Sequence, residues 1–383
     1  MPLRLANAPR LRDIAENMIE LNTDNIVAYL RARHAATEGE VLVKQLSGGV
    51  AGAVFMVLDM GAGEPVGTDM RTEGQKRAGK PDKRMREGRC FVVKQPLEKF
   101  NTTAEWRVDR DRIHTERNCM ALLHRLLPAH RVPEPLWVDE DNFVLAMTAA
   151  PAGAAAWKSQ LLAGSVNQRL ADDAGKLLAS MQNHTCGSAA IAKEFGGLKG
   201  FIQQRIEPYF HATAQKHPAV QPAIARMAAL MQTNRLCLTH GDFSPKNMLT
   251  WPPAEGETAQ LMLVDFEVAH WGHPAFDVAT LINHLLLKGF YHAGRWRPFM
   301  FAADGFWQTY QQHAHLSLKQ AVADCGGKLL GCLMLARIDG KSPVEYITDA
   351  ALKDKVRRCA THLLTLSDDS LDTALDETGG FLD

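Results

Sequence analysis

The chain has 383 residues, with 43 basic and 43 acidic side chains and a formal net charge of zero. Balanced charge excludes bulk attraction to nucleic acid or to an anionic membrane, and the length is enough for two lobes with a sizeable core. No apolar stretch approaches membrane-spanning length, and Met1-Pro2-Leu3-Arg4-Leu5-Ala6 lacks the regions of a secretion signal. The seven cysteines are scattered, odd in number and free of Cys-x-x-Cys spacing. They read as small buried hydrophobes and reduced thiols, which points to the cytoplasm and away from a zinc site.

Along the chain, Asn22-Thr23-Asp24-Asn25 offers caps for a helix through residues 26–30. Residues 41–46 and 53–58 alternate as two strands around the turn Ser47-Gly48-Gly49-Val50-Ala51-Gly52, a hairpin with a glycine-rich tip. The segment 61–89 is Gly-rich and basic without interleaved aromatics, so it reads as a solvated loop rather than a nucleic-acid patch. A third strand covers 89–95, an amphipathic helix 109–127, and two further strands 136–139 and 143–148. The small-residue run 149–156 marks a lobe boundary, which gives a β-rich lobe over 1–148 and a helical lobe over 149–383. Helices are expected at 167–183, 197–213, 218–233, 274–288, 299–315, 318–336 and 350–366, with a fraying acidic segment after Asp368. Strands first and helices later imply an α+β, two-lobed architecture with a cleft at the junction.

The chemistry concentrates at residues 240–267. His240-Gly241-Asp242 is followed by Asn247, and Leu263-Val264-Asp265-Phe266-Glu267 comes next. Phosphoryl transfer uses this grammar: an Asp to orient a hydroxyl, an Asn five residues later to bind a metal ion, and a further Asp to complete the metal site. Short β-prone runs at 235–239, 248–251 and 261–264 flank the polar residues and put them at strand ends. Asp242 is thus the expected catalytic group, with positioning more important than basicity in a loose transition state. Asn247 and Asp265 supply hard oxygen ligands for Mg²⁺, and Glu267 adds a third acidic group. His240 braces the loop. Asp277, at the start of a helix, either caps it or borders the site.

In the first lobe, Gly48, Gly49 and Gly52 sit where backbone amides would approach phosphates, with Ser47 replacing the first glycine of the kinase loop. Lys94 ends the apolar strand Phe91-Val92-Val93, where it would meet the phosphates of ATP and a helix carboxylate, Glu116 or alternatively Glu105.

With these motifs the chain resembles the aminoglycoside phosphotransferase and choline kinase superfamily of small-molecule kinases over roughly residues 40–350. The carriers are the His-Gly-Asp-x-x-x-x-Asn loop, Asp265-Phe266-Glu267 and Pro274-Ala275-Phe276-Asp277. Val92-Val93-Lys94-Gln95, Glu105-Trp106, Asp109-Arg110 and Trp157 to Gly164 look like methylthioribose kinase, whereas Phe243-Ser244-Pro245-Lys246 looks like the aminoglycoside and choline kinase version of the loop. The resemblance implies a two-lobed protein-kinase-like fold, ATP and Mg²⁺ as cofactors, and a hinge near Met147 that contacts the nucleotide. It also makes Arg337 a match to one of the arginines that grip the acceptor, with Asp277 and Trp271 as the alternative acceptor contacts. Transfer of the ATP γ-phosphate to a hydroxyl of a sugar, amino-alcohol or aminoglycoside-like molecule is then the expected activity. The competing expectations are a non-catalytic nucleotide-binding protein of the same fold and a protein kinase. The second lacks an Ala-Pro-Glu segment after Asp265.

Overall fold

The structure is a computed structural model that describes residues 18–46, 52–61, 88–98, 107–253 and 258–383. The chain clusters into two compact units. The first comprises residues 1–101 and 135–149 and the second residues 102–134 and 150–383. The segment 102–134 therefore clusters with the helical part, although it precedes the last two strands of the sheet in sequence.

Among the described residues the first unit is an antiparallel sheet with one helix. Helix α1 (Ile26–Ala32) is followed by β1 (Val41–Gln45), β2 (Gly52–Asp59), β3 (Arg89–Pro96), β4 (Pro135–Asp139) and β5 (Val144–Thr148). The five strands are ordered β1-β2-β3-β5-β4. Alternation explains the core: Phe55 and Val57 of β2 and Phe91 and Val93 of β3 point inward and pack with Ile26 and Leu30 of α1. A polar clamp fixes the helix, since the Tyr29 hydroxyl donates to Asp139 at 2.6 Å and the Asn142 amide donates to the same carboxylate oxygen at 2.8 Å. The expected strands match these five within two residues at each end. The tip residues 47–51 and most of the 61–89 segment lie outside the described residues.

The second unit opens with α2 (Arg112–Leu126) and continues through β6 (Ala155–Ala156), α3 (Trp157–Leu162), α4 (Gln168–Thr185), α5 (Ala189–Glu194) and α6 (Lys199–Phe201). A π-helical stretch, Ile202–His211, then leads into α7 (Ala212–Lys216) and α8 (Gln221–Thr233). Pro208 lies inside that stretch, where it lacks an N–H and would crowd a tight helix, so the wider winding accommodates it. Two small antiparallel sheets carry the polar loops. Strand β7 (Cys237–Thr239) pairs with β10 (His270–Gly272), and β8 (Met248–Thr250) pairs with β6 and with β9 (Leu261–Leu263). The remainder is helical: α9 (Ala275–Tyr291), α10 (Arg297–His313), α11 (Leu316–Ala323), α12 (Gly326–Asp339), α13 (Ala350–Thr365) and α14 (Leu371–Leu382).

Helices α9 and α12 are apolar almost all round, and they form the centre of this unit. Close helix approaches depend on small residues. A Cβ at Gly175 of α4 would stand 2.8 Å from the Phe306 carbonyl of α10, and one at Gly331 of α12 would stand 2.9 Å from the Ala360 carbonyl of α13. Three sequence expectations are corrected. The helix expected at 318–336 is two helices, α11 and α12, broken at Asp324-Cys325. The helix expected at 197–213 is the α6, π-helical and α7 succession. The segment after Asp368 does not fray: Ser370 caps α14, and Leu371, Leu375 and Leu382 are buried. Its acidic residues had masked a clear apolar stripe. No helix among the described residues is long and apolar enough to cross a membrane.

Candidate active site

Two loops of the second unit, each leaving a short strand, carry the site. Strand β7 ends at Thr239, and the chain turns through Gly241, whose φ is +74°. Only glycine fits there, because a Cβ would stand 2.6 Å from the Val268 carbonyl. The short 3₁₀ turn Pro245–Asn247 then leads into β8. The second loop leaves β9 at Leu263, and Asp265 sits at φ +71°. A non-glycine residue there stores backbone strain of about 1–3 kcal/mol, which persists only where the surroundings over-determine it.

Side chains brace both loops. The Asp277 carboxylate, wholly buried at the start of α9, accepts the backbone N–H of His240 at 2.7 Å and that of Gly241 at 2.9 Å. Both its oxygens are thus engaged by the loop, which is the geometry of an anchor rather than of an acceptor contact. Burial pushes its carboxyl up to about 7 against the downward pull of those two N–H groups. His240 is also fully buried. Its Nδ1 accepts the Asp242 N–H at 3.2 Å, and its Nε2–H donates to the Val264 carbonyl at 3.1 Å. That pair of bonds requires the neutral imidazole, in keeping with burial, which draws it down to about 4. The Val264 N–H in turn donates to the Asn247 carbonyl at 2.9 Å, so the two loops are stitched together twice.

Asp242 is 7 % exposed and held by two cations. Arg205, from the π-helical stretch, approaches its Oδ2 at 3.1 Å, and Lys246 approaches the same oxygen at 2.8 Å. Arg205 also donates to the Gly241 carbonyl at 2.7 Å and to the Gln204 carbonyl at 2.7 Å. Burial would raise the Asp242 carboxyl, but Lys246 and Arg205 outweigh it and hold the group well below the usual carboxylate range. An ionised carboxylate so stabilised is a weak base and a firm hydrogen-bond acceptor. The Asn247 amide donates to the Asp242 carbonyl at 3.0 Å, which fixes the side chain.

The acidic residues meet in space from two parts of the chain, α2 and the loop after β9. Ligand oxygens of Glu116, Asp265 and Glu267 all lie within 4.8 Å of one another. Glu267 is buried and receives Arg112 of α2 at 3.1 Å. Glu116, expected as a partner for Lys94, therefore offers its carboxylate to this oxygen cluster. Hard oxygen donors at this spacing suit Mg²⁺ or Mn²⁺ and do not suit a thiophilic metal.

The other expected site residues are placed as follows. Gly52, Lys94 and Met147 belong to the sheet of the first unit. Gly52 opens β2 opposite Pro96, Lys94 is buried on β3 between Val54 and Leu145, and Met147 on β5 pairs with Val92. Gly48 and Gly49 lie outside the described residues. Trp271 is buried in β10 opposite Leu238, and its N–H donates to the Phe195 carbonyl at 2.8 Å. Arg337, in the last turn of α12, donates to the Tyr209 hydroxyl at 3.1 Å and to the Ser342 hydroxyl at 3.0 Å. Arg205, Tyr209 and Lys246 are the site residues that sequence reasoning missed. Lys246 was detectable, because it stands four residues after Asp242 on the same loop. Arg205 carried no local signal, since its bond to Gly241 spans 36 residues.

The chain matches the family model of the phosphotransferase enzyme family over residues 86–316, more than half its length, and belongs to that family. No curated protein sequence matches it. Among solved structures it is similar to an ethanolamine kinase from Plasmodium vivax, with 11 % identity over 97 % of this chain and 90 % of that one and a TM-score of 0.51. It is also similar to the gentamicin complex of APH(2")-IIa, with 15 % identity, 92 % and 98 % coverage and a TM-score of 0.47. A choline/ethanolamine kinase family protein from Mesorhizobium loti shares 17 % identity over 92 % of this chain and 98 % of that one, with a TM-score of 0.40. The fold is accordingly the mixed α/β, kinase-like class, with an antiparallel sheet and a helical unit. The resemblance to methylthioribose kinase gains nothing from these matches.

Proposed function

We propose that this protein is an ATP-dependent phosphotransferase that moves the γ-phosphate to a hydroxyl of a small molecule, with Asp242 orienting that hydroxyl. One observation carries the reading: an ionised, doubly clamped Asp242 and the carboxylates Asp265 and Glu267 sit on two loops tied to each other by hydrogen bonds, and Glu116 of α2 joins the oxygen cluster. A nucleotide-binding protein without turnover has no need of a carboxylate held at that position. The short path from Asp265 through β10 into α9 leaves no segment for docking a protein substrate, which favours a small acceptor.

In this reading Asp265 and Glu267, with Glu116 and the Asn247 oxygen, would hold Mg²⁺. When bound, that ion supplies charge neutralisation for the phosphate oxygens of ATP. Gly48, Gly49, Gly52, Lys94 and Met147 remain the proposed nucleotide contacts of the first unit, on the sequence pattern. Asp242 receives the acceptor hydroxyl as a hydrogen-bond donor and aligns its oxygen for in-line attack. Its clamped, acidic character makes orientation its main contribution, with the hydroxyl proton passing to Asp242 late, as the acceptor O–P bond forms and the bond between the γ-phosphate and ADP breaks. Arg205 and Lys246 keep the carboxylate in place. Asp277 and His240 keep the loop in place. A cytoplasmic location is part of the same proposal, on the scattered, odd-numbered cysteines of the sequence.

The test is ADP release from Mg-ATP with a panel of sugars, sugar derivatives, amino-alcohols and aminoglycosides, beside ATP binding by calorimetry. Acceptor-dependent ADP release that Asp242→Asn abolishes, with ATP affinity kept, is the expected result. ATP binding without turnover on any acceptor class would leave a binding protein.

A further inference from the structure

Around Asp242 the second unit gathers several cations. Arg205 lies over the Tyr209 ring at 5.3 Å, and Arg337 lies over the same ring at 5.7 Å while bonded to its hydroxyl. Arg337 is thus one tyrosine and one arginine away from the Asp242 carboxylate. On α9, Lys288 sits over the Tyr346 ring at 5.2 Å. Lys158 at the start of α3, which packs against the Pro245–Asn247 turn, reaches Glu345 at 2.5 Å.

Counting partners separates these cations. Asp242 takes Arg205 and Lys246, and Glu345 takes Lys158. Lys288 and Arg337 make no ion pair among the described residues. Lys288 is 1 % exposed and donates only to the His284 carbonyl of its own helix, at 3.1 Å. Arg337 has neutral partners, Tyr209 and Ser342. The Arg337 Nε and the Tyr346 hydroxyl are shut away from solvent with no hydrogen bond. A buried ammonium without a counter-ion is costly, and each unsatisfied donor adds its own desolvation penalty. Burial, Lys158 and Arg337 draw Lys288 down to about 7, with Glu345 opposing. In the free protein loss of the Lys288 proton relieves part of that cost, whereas a bound anion would relieve it with the charge kept.

We infer that the acceptor carries an anionic group besides its hydroxyl, a carboxylate or a phosphate ester, held by Lys288 and Arg337. The inference rests on Asp242 being the hydroxyl-orienting group of a phosphotransferase. An anion at this place gives both cations a counter-ion, and it offers acceptors to the Arg337 Nε and the Tyr346 hydroxyl. The same two charges repel an amine, so a cationic amino-sugar or amino-alcohol is disfavoured here. Lys288 and Arg337 are then specificity residues, and Asp242 remains the residue that touches the reacting oxygen.

A matched six-carbon panel tests this: gluconate, glucose 6-phosphate, glucose and glucosamine, each at millimolar concentration with Mg-ATP. ADP release is measured with the wild type, Lys288→Met and Arg337→Gln, and calorimetry measures binding of each sugar to the wild type, to Asp242→Asn and to the two cation variants. The expected result is kcat/KM at least about tenfold higher for one of the two anions than for glucose or glucosamine. The arm that works separates carboxylate from phosphate. Lys288→Met and Arg337→Gln each raise that acceptor's KM by about tenfold and leave the KM of ATP unchanged, because they lose charge-assisted bonds to the acceptor alone. Turnover that favours glucose or glucosamine overturns the anionic acceptor and keeps the phosphotransferase. Anion binding that Asp242→Asn retains and Lys288→Met weakens, with no ADP release on any sugar, keeps the anion site and removes the phosphotransferase reading. Neither binding nor turnover with either anion overturns the inference, as does a KM that both cation variants leave unchanged.

Discussion

The oxygen cluster of Glu116, Asp265 and Glu267 and the cation-rich surroundings of Asp242 lie on neighbouring stretches of one unit, yet they are built from opposite charges. The first gathers carboxylates from α2 and from the loop after β9, and it asks for a hard cation. The second surrounds one carboxylate with Arg205 and Lys246 and places Lys288 and Arg337 beyond it, and it asks for an anion. On the proposed function, their juxtaposition would divide phosphoryl transfer within a single fold: one side would neutralise the donor phosphates, while the other would fix the acceptor. The loop of Asp242 and the loop of Asp265 are tied by hydrogen bonds of His240 and Asn247 to Val264, which couples the two regions.

That division can be broken at defined points. The largest effect is expected at Asp265→Asn, which keeps the shape and removes the ligand charge. Turnover should fall roughly a thousandfold, the equivalent of about 4 kcal/mol, and raising Mg²⁺ should restore part of it. Turnover within a few fold of wild type would detach Asp265 from the metal.

Asp277→Asn is the next most severe. It puts an amide N–H against the N–H of His240 or Gly241, so the loop must move. Displacing a positioning group by about 1 Å can cost roughly a hundredfold in kcat, with the KM of ATP little changed. Should the acceptor's KM alone respond, Asp277 would return as an acceptor contact.

A third effect is on stability. His240, His270 and His273 are each drawn by burial from 6.5 to about 4. Between those values the unfolded chain binds protons at the three histidines that the folded chain does not, while Asp277, pushed up to about 7, opposes with one proton of the other sign. The net effect is that stability falls as the pH drops from about 6.5 toward 4. Each histidine contributes up to about 1.4 kcal/mol per pH unit within that window. Thermal unfolding followed from pH 7 to 4 should show this slope, and His240→Gln should flatten it. A melting temperature flat across the window contradicts the neutral, buried state of these rings.

The smallest effect is at Gly241→Ala. Its Cβ would press on the Val268 carbonyl and hold a positive φ, at a cost of about 1–3 kcal/mol. Denaturant midpoints measure it, and an unchanged midpoint would mean that the turn does not need glycine.

The sheet strands and the two acidic loops were legible in the sequence because their signals are local: apolar alternation over five to eight residues in β1 to β5, and Asp242, Asn247 and Asp265 at fixed spacing. Arg205 was not legible. It reaches the loop from a π-helical stretch whose winding depends on Pro208 and on tertiary packing, and no short pattern records that. Lys288 was hidden differently, since it continues the apolar run of α9 and looks like the solvated end of an amphipathic helix. The acidic C-terminus was misread because charge hid the stripe of Leu371, Leu375 and Leu382 that docks α14.

The most direct test of the divided site measures two quantities side by side on Asp242→Asn and Asp265→Asn: ATP affinity with and without Mg²⁺, and acceptor-dependent ADP release. The account predicts that Asp242→Asn keeps the Mg²⁺-dependent affinity and loses turnover by roughly 10²–10⁴-fold. It predicts that Asp265→Asn loses the Mg²⁺ dependence of affinity itself. Equal loss of nucleotide affinity in both variants, or turnover retained by Asp242→Asn, would contradict it.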